Sequence, residues 1–114
     1  DNTAIWSEDR PLNDEEFKAV TGVGRALFAN GALPCTSCHY CVSHCPMGLD
    51  IPHLISLYNE HIFTGGGFIA PMALAAIPAD KQPGARIGCH SCVAVCPQQL
   101  PIPETFEKFA ALMK

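Results

Sequence analysis

Apolar residues recur at helical spacing in four stretches of this chain, and no stretch alternates apolar with polar as a half-buried strand would. The first stretch follows Asn13-x-x-Glu16, a variant of the capping box, and carries Phe17, Val20, Leu27 and Phe28. Gly22 and Gly24 each weaken that helix by about 1 kcal/mol relative to Ala, and Asn30-Gly31 is its stop. Pro52 suits the first turn of a second helix with Ile51, Ile55, Tyr58 and Ile62 on one face, ended by Gly65-Gly66-Gly67. A shorter helix is expected over residues 71–77. Pro103 opens the last, with Phe106, Phe109, Ala110 and Met113 at helical spacing. The predicted fold class is all-α.

Between these helices lie seven cysteines in two runs. Cys35, Cys38, Cys41 and Cys45, followed by Pro46, have the spacing C-x2-C-x2-C-x3-C-P. Cys89, Cys92 and Cys96, followed by Pro97, repeat it 51 residues later, with Arg86 where the first cysteine would fall. The repeat extends beyond the cysteines. His39/His90, Val42/Val93, Leu49/Leu100, Ile51/Ile102 and Pro52/Pro103 coincide at the same offset. Each half is therefore a cysteine run, then C-P-x-x-L-x-I-P, then an apolar-periodic helix, which suits a pseudo-two-fold arrangement.

Composition narrows the chemistry. With 114 residues there is room for one domain with a modest core, of the size that gains stability from metals or partners. An odd cysteine count in C-x-x-C spacing argues for metal rather than a disulfide-stapled secreted module, so a cytoplasmic setting is expected. The formal charge of −4 opposes a phosphate backbone, so nucleic acid is not an expected partner. The longest apolar run, residues 68–79, holds 12 residues and two prolines, too short and broken for a membrane span. It could equally pack inward or form a docking face. No secretory signal is readable at the start, and the opening without Met is read as a cut from something longer.

The full run has the spacing of bacterial-type iron–sulfur proteins, whose fourth cysteine ligates the other cluster. By that rule one cluster is held by Cys35, Cys38, Cys41 and Cys96, a [4Fe-4S] site. A second is held by Cys45, Cys89 and Cys92, with its fourth corner facing Arg86. Zinc would pair Cys35/Cys38 with Cys89/Cys92 and leave three cysteines without a role, so iron–sulfur is preferred. Guanidinium offers no lone pair to iron. Three outcomes stay open for the second site: a [3Fe-4S] cluster, a [4Fe-4S] cluster with an exogenous ligand, or no cluster. A labile or absent cluster is slightly favoured over a stable three-iron one. His39, His44 and His90 lie within the runs. His90 is a candidate fourth ligand, set against the commoner outcome of an outward or sulfur-bonding side chain. No Ser-His-Asp set, paired carboxylates or nucleotide fingerprint is readable, so the fragment alone is not expected to be catalytic.

Arg10-Pro11-Leu12-Asn13-Asp14-Glu15-Glu16-Phe17, Pro34-Cys35-Thr36-x-Cys38-x-Tyr40-Cys41-x-x-x-Cys45-Pro46, Ile51-Pro52 with Leu57-Tyr58-Asn59, and Cys96-Pro97-Gln98 with Ile102-Pro103 carry a family resemblance. The chain resembles the C-terminal iron–sulfur domain of bacterial and archaeal aldo/keto reductase-family oxidoreductases over nearly its whole length. The resemblance implies a helical ferredoxin-like fold and two four-iron clusters at the positions above. It also implies a preceding (β/α)8 barrel that uses NAD(P)H, and an external electron carrier. Residues 1–12 would then be a linker from that barrel and residues 13–114 the iron–sulfur domain. The sequence departs from the family at Arg86. A structural metal module that docks the barrel, or a free-standing helical ferredoxin or heterodisulfide reductase-like subunit, are the alternatives.

Overall fold

The computed structural model describes residues 2–7 and 10–114; Asp1, Glu8 and Asp9, all within the predicted linker, lie outside the described residues. Among the described residues there are seven α-helices and no strand, in agreement with the all-α expectation. They are α1 (Asn2–Ser7), α2 (Asp14–Phe28), α3 (Tyr40–Ser43), α4 (Ile51–Thr64), α5 (Ile69–Ala75), α6 (Ser91–Ala94) and α7 (Ile102–Leu112). Two 3-10 turns, Ala79–Lys81 and Pro83–Ala85, lead into the second cysteine run.

The capping box at α2 is formed in full. The Asn13 side-chain oxygen accepts from the N–H groups of Glu15 (3.0 Å) and Glu16 (2.9 Å), and the Glu16 carboxylate accepts from Asn13 N–H (3.0 Å). Three donors that a helix start leaves bare are thereby satisfied. Yet no residue of α2 is buried, and Phe17, Val20, Leu27 and Phe28 stand exposed. Local sequence makes this helix; among the described residues nothing buries its apolar side chains.

The core begins at Ala32 and is built mainly on α4 and α7. The apolar face of α4 is wider than predicted, because Leu54 and Leu57 are buried along with Ile51, Ile55 and Tyr58. Asp50 caps it by accepting from His53 N–H, and the glycine triplet ends it. Gly65 adopts φ 67, and Gly66 N–H reaches the His61 carbonyl at 2.9 Å, closing the helix C-terminus. On α7, Ile102, Phe106 and Phe109 are fully buried, and the Phe109 ring meets Tyr58 edge-on at 5.7 Å.

Residues 68–79 are partly buried and partly exposed. Helix α5 starts two residues earlier than predicted, at Ile69, because Pro71 sits comfortably in a first turn, where its missing N–H is not needed. Ala70 and Leu74 pack inward against α4, while Phe68, Ile69 and Met72 face outward. No helix among the described residues is long and apolar enough to cross a membrane. Within the expected linker, Asn2–Ser7 is helical, with Ile5 and Trp6 exposed on it.

Candidate metal centre

The two cysteine runs have the same backbone. α3 and α6 start and stop at positions 51 apart, as do the starts of α4 and α7. Positive φ recurs in three such pairs: Ser37 (53°) and Gly88 (69°), His39 (63°) and His90 (58°), Gly48 (60°) and Gln99 (50°). Hydrogen bonds recur with them. Val42 N–H to the His39 carbonyl matches Val93 N–H to the His90 carbonyl, both 3.0 Å; Gly48 N–H to Cys45 (2.9 Å) matches Gln99 N–H to Cys96 (3.0 Å). Left-handed residues interspersed with right-handed ones turn successive N–H groups toward one side. That concave nest of donors suits an anion, iron–sulfur sites among them. A non-glycine residue in this region costs roughly 1–2 kcal/mol, and four of the six positions have a side chain. Backbone strain of this kind persists where surrounding structure holds it in place.

The turns distribute the thiols over two neighbouring cavities. One, of about 320 Å³ with its mouth included, is lined by Cys35, Cys38, Cys41 and Cys96, closed by Ile55, Leu100 and Ile102. The other, of about 420 Å³, is lined by Cys45, Cys89, Cys92 and Arg86, with Leu49, Ile51 and Phe106 behind them. Each cavity thus draws cysteines from both runs. Cys96 of the second run joins the first three cysteines, and Cys45 of the first run joins Cys89 and Cys92. α3 packs against α6, which brings the two cavities side by side.

Three contacts that sequence inspection missed hold the runs in position. The Asn59 side chain on α4 accepts from Leu33 N–H and donates to the Leu33 carbonyl, both at 2.8 Å, fixing the approach to Cys35. Lys81 Nζ donates to the Met47 carbonyl at 2.6 Å, tying the turn after Cys45 to the segment that leads into the second run. A Cβ on Gly48 would lie 3.2 Å from that ammonium at a φ of 60°, so glycine suits both the turn and the clamp. Gln82 Nε2 donates to the Leu74 and Ile77 carbonyls, both at 2.9 Å, securing the end of α5. Asn59 had one visible signal, an amide at the border of an apolar helical face; Lys81 and Gln82 had none, because their partners lie at tertiary distance.

The thiols differ in environment. Burial pushes Cys41 up to about 11 from an ordinary 9.0, opposed by its backbone hydrogen bond and raised further by Cys35, Cys38 and Cys92 nearby. Burial likewise raises Cys92. Cys89 is exposed, and hydrogen bonds from the Ser91 side chain and backbone lower it. Thiolate is the form that ligates metal, so Cys89 is the readiest of these donors and Cys41 the most dependent on a cation to lose its proton.

Arg86 stands where the repeat lacks a cysteine, and it lines the second cavity. Its Nη2 lies 3.4 Å from Glu107 Oε1 at the rim, while its Nε is buried without a hydrogen-bond partner. The histidines are exposed: His39 and His90 line the mouths of their cavities, and His44 Nδ1–H donates to the Tyr40 carbonyl at 2.9 Å. His53 on α4 is exposed and His61 half-buried.

Donor chemistry distinguishes a lone ion from a cluster. Zinc holds thiolates about 2.3 Å from one centre, so its sulfurs sit only ~3.8 Å apart. Among the described residues no group of three or more His, Cys, Asp or Glu side chains is placed to hold a metal ion. The zinc pairing is also divided, with Cys35 and Cys38 on one cavity and Cys89 and Cys92 on the other. A cluster would take its thiolates at separate corners, and four thiols line the first cavity where one would have to sit. Comparison of the chain with protein-family models, with curated proteins and with solved structures finds no match in any of the three.

Proposed function

We propose that this chain is an iron–sulfur electron-transfer domain, with two cluster sites in a helical ferredoxin-like, pseudo-two-fold arrangement. Cys35, Cys38, Cys41 and Cys96 hold a [4Fe-4S] cluster; Cys45, Cys89 and Cys92 form a second site that lacks one protein ligand. The observation that carries this reading is the sorting of seven cysteines into two cavities, four and three, with one member of each set crossing from the other run. The recurring nests, and the meeting of Tyr58 with its repeat equivalent Phe109, support the same frame.

A cluster so held supplies one-electron chemistry. The chain's own residues position the thiolates, direct N–H groups at sulfur and keep water from the cavity walls; adjacent cavities suit transfer between the two sites. In this reading the domain relays electrons for an aldo/keto reductase-type oxidoreductase in a cytoplasmic setting. A barrel that binds NAD(P)H stands at one end and an external carrier at the other. Substrate chemistry belongs to the barrel.

The test is anaerobic reconstitution with counting of iron, zinc and acid-labile sulfide, followed by electron paramagnetic resonance. Iron and sulfide in similar amounts, with a signal that appears on reduction, are the expected result. Zinc without sulfide overturns the relay and favours a structural clamp.

A further inference from the structure

Local sequence starts and stops α2 but supplies nothing to cover it. Its fifteen residues include Gly22, Gly24 and the β-branched Val20, Thr21 and Val23. A lone helix of about that length is marginal in water even when built from the best helix formers, and most helices gain their stability from a covered apolar face. None of α2 is buried: Phe17, Val20, Val23 and Leu27 are 50–62% exposed. The apolar strip runs on past the cap, where Leu12 and Ile5 line an open groove.

Phe17, Val20, Gly24 and Leu27 follow one another at intervals of three, four and three, the seam of a helix that pairs with another helix. A Cβ built on Gly24 meets no atom of this chain within 4 Å, and its φ is not left-handed. Neither a turn nor internal packing therefore calls for glycine there, where it costs about 1 kcal/mol relative to Ala. Close approach of a second backbone does call for it. We infer that α2 is a self-association surface across which a second copy of this chain lies antiparallel. A two-fold axis beside residue 22 sets Phe17 against Leu27 of the second copy and Val20 over its Gly24, large above small on both sides. Charge favours the same direction. Asp14, Glu15 and Glu16 fill the first turn and Arg25 lies in the last. A parallel pair stacks the two acidic turns, whereas an antiparallel pair sets each beside the other helix's basic end and opposes the helix dipoles. Two copies of the strip bury on the order of 1,000 Å², the low end of specific interfaces. The pair therefore forms at about micromolar concentration or above, and the dilute chain is monomeric.

The experiment is sedimentation equilibrium of the anaerobically reconstituted chain from about 1 μM to about 1 mM. A reversible monomer–dimer equilibrium is expected, with helicity by circular dichroism rising as the dimer forms. Leu27→Glu should weaken dimerisation about tenfold or more while iron content stays unchanged. Gly24→Leu separates close packing from general stickiness. It adds apolar surface and helix propensity, so the chain still folds, yet it should weaken the pair about tenfold because it blocks the approach of the second helix. Phe17→p-benzoylphenylalanine, photolysed in the dimer, should give a species of dimer mass cross-linked to the peptide that carries Leu27. Three results overturn the inference: a chain that stays monomeric at every concentration, a Gly24→Leu dimer as tight as the wild type or tighter, or a cross-link from position 17 to position 17. The first of these leaves the face to a different protein. None of them touches the relay reading, which rests on the cysteines.

Discussion

The two cavities have nearly the same backbone and different corners. Around the first, four thiols include Cys41, 7% exposed and pushed up to about 11. Around the second, three thiols include the exposed Cys89, whose thiol is lowered, and the fourth position is the Arg86 guanidinium. Ser37 and Gly88, the left-handed residues nearest that position, adopt similar φ beside either corner residue. The turns are therefore set by the run itself and by helices α4 and α7 behind it, and the corner side chain alters chemistry without altering the frame.

The sharpest way to break this comparison is to exchange the crossing cysteines. Cys96→Ser lies in the second run but should empty the first cavity of its cluster, while Cys45→Ser lies in the first run and should empty the second. Iron counting and the surviving resonance signal distinguish them. Loss from the cavity of the same run would show that the runs do not cross.

Packing supplies the next effect. Phe109→Ala, at a site with no exposure, should destabilise the chain by about 3–5 kcal/mol and loosen both cavities. Phe17→Ala on α2, 60% exposed, should stay within about 0.5 kcal/mol. Denaturant midpoints on the two variants check this, and similar costs would mean that α2 belongs to the core.

The smallest effect is on pH dependence of the metal-free chain. Cys41 keeps its proton in the folded state up to about 11 and loses it above 9.0 when unfolded. The folded chain then binds more protons between these values, so stability falls as pH rises from about 9 to about 11. Anaerobic urea midpoints across that range should decline, and the decline should vanish in Cys41→Ala. Under limiting iodoacetamide, Cys89 should be alkylated first and Cys41 last. The reverse order would contradict the contrast between the cavities.

Much of this was legible in the residue pattern because its causes are local. The Asn13–Glu16 cap, the proline openings of α4 and α7 and the glycine stop at residues 65–67 all act within a turn of the chain. The 51-residue repeat likewise showed which cysteine is missing. The burial of α2 was not legible, since periodicity states which face is apolar and is silent on whether anything covers it. The bounds of α5 shifted because a first-turn proline reads from sequence as either a start or a break.

By itself, then, the sequence determined the helices, the repeat and the identity of the altered corner, all properties of spacing along one chain. Tertiary structure alone decided which thiols share a cavity, that Asn59 and Lys81 clamp the runs, and that Arg86 pairs with Glu107. The crossing thiols and the clamps depend on segments 26 to 61 residues apart meeting through the packing of α4 and α7. Spacing along the chain does not encode such distances; the burial of Ile51, Ile102, Phe106 and Phe109 creates them.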